Sequence, residues 1–61
     1  MSLYKIFING KLFNATTSYD YAINRALGIA MYLGMEFINT KSATITDKWV
    51  SDGNQIIITK N

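Results

Sequence analysis

Helical periodicity occurs in a single segment of this chain, and that segment limits the fold more than any other feature. From Thr17 to Gly34 the residues read TSYDYAINRALGIAMYLG. At about 100° per residue, Ala22, Ile23, Ala26, Leu27, Ile29, Ala30 and Leu33 gather on one side. Tyr21, Asn24, Arg25, Gly28 and Tyr32 occupy the other. Thr17 or Ser18 is the expected N-cap, because a hydroxyl there accepts from an otherwise unpaired helix N–H. Asp20 in the first turn suits the positive end of the helix dipole. Gly34 is the expected stop, since glycine tolerates the left-handed conformation that ends a helix. Gly28 within the helix costs about 1 kcal/mol relative to alanine. Close approach of another backbone is the expected compensation.

The rest of the chain reads as strands. Leu3–Ile8 (LYKIFI) and Lys11–Asn14 flank Asn9-Gly10, the dipeptide that favours a two-residue hairpin turn. That loop length sets Ile8 opposite Lys11, Phe7 opposite Leu12 and Ile6 opposite Phe13. Met35–Asn39 reads as a further strand. Ala43–Val50 alternates as a strand, Ser51-Asp52-Gly53-Asn54 as a second turn, and Gln55–Lys60 as the last strand. Residues 35–50 fit either one bent strand or two short ones. The expected fold is α+β: a ββαββ order, with an antiparallel sheet of four or five strands and one helix packed on one face.

One helix covers one side of a sheet, so the two faces differ in consequence. Tyr4, Ile6, Ile8 and Phe13 make the more apolar face and belong under the helix. Phe7 and Leu12, with Lys5 beside them, then face away, and Ile57 points opposite to Ile56 and Ile58. Large apolar groups on both faces are more than one helix covers, and apolar patches beyond a few hundred Å² mark interaction sites. Phe7, Leu12 and Ile57 are therefore the expected self-association surface. The alternative is that they are isolated surface residues of the kind all proteins carry.

Size adds weight to association. A chain of 61 residues holds one domain, residues 1–61. A chain this short buries only about 60% of the surface its unfolded form exposes. With no cysteine and no histidine, disulfides and the commonest transition-metal ligands are excluded. What remains is a compact self-sufficient core or association with another chain, as a homodimer or with another protein partner. On the helix, Tyr21, Arg25, Gly28 and Tyr32 follow spacings of four, three and four and form one outward stripe. Tyrosine and arginine concentrate at the energetic centres of interfaces, so this stripe is the expected partner-binding surface. Its bland alternative is a solvated face with Arg25 resting on Tyr21.

Catalysis is not expected. General acid–base chemistry recruits His, Cys, Lys or a tuned carboxylate held in a cleft, and the four acids here are dispersed. The turn glycines carry no phosphate-cradling pattern, and no metal or cofactor site is expected. Single-stranded nucleic acid is the runner-up ligand, with Lys5, Phe7, Lys48 and Trp49 as a stacking and charge surface. The net charge of +2 comes from five scattered lysines and Arg25 against four acids. No basic stripe forms, so nucleic acid is not favoured. Trp49 also reads as a core anchor. The N-terminus MSLYKIF lacks a secretory leader pattern, and no apolar run reaches the ~20 residues of a membrane span. A cytoplasmic location is the expectation.

The lean toward Ile, Asn, Lys, Tyr and Phe, residues with AT-rich codons, suggests an AT-rich genome. The layout is a strand–Asn-Gly–strand hairpin, a Ser/Thr-capped helix carrying YAINRA, and two further strands. It resembles small bacteriophage-encoded proteins across the whole chain. The resemblance implies a binding protein that inhibits a host enzyme or defence complex in the host cytoplasm, and it identifies no residue.

Overall fold

Turn chemistry accounts for most of the connections in the computed structural model, which describes residues 2–61. Strand β1 (Tyr4–Ile8) returns as β2 (Lys11–Thr16) through Asn9 at φ 51° and Gly10 at φ 83°. Helix α1 (Tyr19–Tyr32) follows, then β3 (Glu36–Ile38), β4 (Ile45–Ser51) and β5 (Asn54–Lys60). Gly53, at φ 77°, makes the turn from β4 into β5. Residues 35–50 thus supply two antiparallel strands, β3 and β4, rather than one bent strand.

The five strands form one sheet in the order β2-β1-β5-β4-β3, antiparallel throughout. The last strand in sequence lies at the centre. Ile6 on β1 stands between Asn14 on β2 and Ile58 on β5, so within the sheet the hairpin β1–β2 joins the other strands only through β5, the chain's C-terminal strand.

Ser18 is the N-cap of α1, and its Oγ accepts from the Tyr21 N–H at 3.1 Å. At the other end, Met35 N–H donates to Ala30 O at 2.8 Å and Gly34 N–H to Met31 O at 3.2 Å. With Gly34 at φ 66°, this pair of bonds is a Schellman cap.

The helix lies over β1, β2 and β5. Its buried stripe is Ala22, Ala26 and Ala30, set against Ile6, Ile56, Ile58 and Trp49 of the sheet. Three small residues at spacings of four let the helix axis sit close to the strands, while Tyr4, Ile8, Ile23, Ile29 and Met35 pack around the edge. Leu27 and Leu33, expected on the inward side, are 41% and 43% exposed. Leu33 is the C-cap, already out of helical geometry. Leu27 is turned about 100° from Ala26, to the side opposite Arg25, and so lies off the buried alanine stripe.

The expected register of the first hairpin holds at Ile8↔Lys11 and Phe7↔Leu12, then shifts. Ile6 pairs with Asn14, and Phe13 becomes the extra residue of a β-bulge. Phe13 is consequently half-exposed at the edge of the helix-side face instead of seated beneath the helix. A bulge on an edge strand also hinders pairing with another chain.

Candidate functional site

Directly paired residues of neighbouring strands project from the same face, so the register defines both faces. On the face away from the helix, Leu12 pairs with Phe7, Phe7 with Ile57, Ile57 with Lys48, and Lys48 with Ile38. These five residues form one transverse row that crosses the sheet from edge to edge. A second row contains Ala15, Lys5, Thr59 and Ile45, and a third contains Gln55, Val50 and Glu36. Among the described residues the one helix packs on the opposite face, and no helix covers this one.

Phe7, Leu12 and Ile57 therefore lie together, with Leu12 57% exposed at the β2 edge. The sequence reading missed Ile38, Ile45 and Val50 on the same face. For Ile38 and Val50, the inward anchor Trp49 and its β3 neighbour contain the signal, since alternation sends their flanking residues outward. Ile45 was not legible by alternation, because a second register shift lies between Ile45 and Asp47 and reverses the parity.

Lys5, Phe7 and Lys48 share the open face, but Trp49 does not join them. It lies on the helix-side face, 3% exposed, with the Phe37 ring set edge-on at 5.6 Å between centroids. The stacking set proposed from sequence is thus divided between the two sides of the sheet. Alternation puts Lys48 and Trp49 on opposite faces.

The helix stripe is also divided. Tyr21 Oη accepts from Asn14 Nδ2 at 3.5 Å, and the Arg25 guanidinium lies 5.4 Å above the centroid of the Phe13 ring. Arg25 therefore rests on β2 rather than on Tyr21. Such a cation–π contact contributes about 0.5–1 kcal/mol at an exposed site. Gly28 faces open space, with nothing within 4 Å of where a Cβ would stand. No backbone approaches it, contrary to the compensation expected from sequence. Tyr32, 89% exposed, projects without support.

One polar pair enters the covered face. The Tyr19 hydroxyl donates to Asp47 Oδ2 at 2.7 Å. Burial and the Asp47 carboxylate push the Tyr19 hydroxyl up to about 12, so it stays protonated at neutral pH. Among the described residues no cavity opens, and no three His, Cys, Asp or Glu side chains are placed to hold a metal ion. No helix among them is long and apolar enough to cross a membrane. No protein-family model, curated protein or solved structure matches this chain.

Proposed function

We propose that this chain is a non-enzymatic interaction module that pairs with a second copy through its open sheet face and offers the exposed end of its helix stripe to another protein. The observation that carries this reading is the row Leu12–Phe7–Ile57–Lys48–Ile38, which is apolar except for one lysine and, among the described residues, lies on the face without the helix. Five strands of three to seven residues, about 4.8 Å apart and rising about 3.3 Å per residue, give a flat area of about 450 Å² before side-chain relief is added. That is within a factor of two of the ~800 Å² per partner of a standard interface. Sheet-on-sheet packing fits such a face, because the side chains of two like surfaces interdigitate. The resemblance to small bacteriophage proteins supplies a class for the further partner, a host protein.

Nucleic acid is the second reading, supported by Lys5 and Lys48 flanking Phe7 and Ile57 on one face. Solution mass by light scattering over a dilution series, at low and moderate salt, separates the two. A dimer that persists on dilution and in salt supports the apolar pairing. A monomer that binds single-stranded oligonucleotides with a steep salt dependence replaces it with the second reading.

A further inference from the structure

The Asn9-Gly10 turn holds a chemical lability that the sheet restrains. Asparagine followed by glycine is the dipeptide most open to succinimide formation, since glycine has no side chain to shield its backbone nitrogen. Nothing lies within 4 Å of where a Gly10 Cβ would stand, so the Gly10 side of the turn is open. Yet both amide atoms of Asn9 are engaged by β5. Asn9 Oδ1 accepts from the Gln55 N–H at 2.8 Å, and Asn9 Nδ2 donates to Asn54 Oδ1 at 3.1 Å. The Asn9 N–H in turn donates to Gln55 O at 2.9 Å. Three hydrogen bonds thus turn this side chain and its backbone across to the β4–β5 hairpin. The same bonds join the two hairpin turns at one end of the sheet.

We infer that Asn9 is a self-modification site gated by its attachment to β5: deamidation proceeds when this lock opens and is suppressed while it is closed. In the open state the Gly10 backbone nitrogen attacks Asn9 Cγ. The new N–Cγ bond forms as the Cγ–Nδ2 bond breaks, and the displaced amine takes up the Gly10 amide proton and leaves as ammonia. Water then opens the ring at either carbonyl and yields aspartate or isoaspartate. The net change is one water taken up and one ammonia released, with no redox partner. The product at position 9 adds one negative charge to a chain of net charge +2 and loses the donor to Asn54. Isoaspartate also lengthens the backbone inside a two-residue turn, which the pairing Ile8↔Lys11 does not accommodate. The isoaspartate product therefore keeps the lock from closing again, whereas the aspartate product keeps the acceptor for the Gln55 N–H and loses only the bond to Asn54.

The test follows isoaspartate and aspartate at residue 9 by peptide mapping during incubation at neutral pH. The samples are the full chain, its Asn54→Ala and Asn54→Asp variants, and a peptide of residues 4–16 as the unlocked reference. The full chain is expected to convert at least about tenfold more slowly than the peptide, the protection given by a modest local opening equilibrium. Asn54→Ala, checked by circular dichroism for folding, is expected to convert severalfold faster than the unaltered chain. Asn54→Asp keeps an acceptor oxygen and is expected to retain the protection. Equal rates for chain and peptide overturn the proposal. So does an Asn54→Ala variant that folds and converts at the parent rate.

Discussion

Tyr19 and Asp47 are joined by a 2.7 Å hydrogen bond that ties the first turn of α1 to β4. Asp47 is the buried charged residue of the core face, and no buried side-chain polar atom among the described residues lacks a partner. Removing the hydroxyl with Tyr19→Phe leaves that carboxylate short of a donor. The expected loss is about 1–3 kcal/mol, read as a lower melting temperature. Asp47→Asn keeps an acceptor and should cost less. A Tyr19→Phe variant that melts with the parent would remove this bond from the account of stability.

The same pair sets an alkaline limit. The folded Tyr19 hydroxyl ionises near 12 against an ordinary value of 10.0. Between these values the unfolded chain has lost a proton that the native chain retains. Unfolding free energy must then fall as pH rises. This contribution is complete below about pH 10 and lost on passing about pH 12. Denaturant unfolding at a series of alkaline pH values should show a steeper decline for the parent than for Tyr19→Phe. Parallel curves would contradict the coupling.

Two glycines should respond in opposite directions. Gly34 sits at φ 66° in the helix cap, so Gly34→Ala should destabilise by about 1–2 kcal/mol. Gly28 lies in regular helix facing open space, so Gly28→Ala should stabilise by up to about 1 kcal/mol. Chemical denaturation of both variants is sufficient. A destabilised Gly28→Ala would mean that the glycine serves something besides the helix.

On the open face, the pair Phe7→Ser and Leu12→Ser should convert a dimer to monomer. The chain should unfold instead if the dimer supplies its stability. Light scattering and circular dichroism on the same samples distinguish these results, and a folded dimer of the double variant would eliminate the sheet-face pairing.

Tyr32→Ala should leave the unfolding free energy within about 0.5 kcal/mol of the parent, as surface substitutions do, while weakening any complex made through the helix. Arg25→Ala should differ, because it also removes the contact with Phe13. A large stability loss for Tyr32→Ala would show that the ring is packed in solution.

The sequence by itself determined the α+β class, the ββα opening, a hydroxyl N-cap at Thr17 or Ser18 (the structure uses Ser18), the stop at Gly34, and both glycine turns. Each is decided by a few neighbouring residues: a hydroxyl before a helical run, or a glycine where φ must be positive. The outward placement of Phe7, Leu12 and Ile57 followed from alternation near those turns. Tertiary structure decided the rest. The central position of β5 depends on pairing between the ends of the chain, for which local sequence has no signal. The bulge at Phe13 and the shift before Asp47 invert face assignments that alternation alone makes. Leu27 and Leu33 lie on the apolar side of the helix by periodicity. Leu33 is exposed because it is already the C-cap, and Leu27 because one helix about 10 Å across cannot cover five strands about 4.8 Å apart. The width of the sheet, assembled from distant segments, decides which of the helix's apolar residues become core.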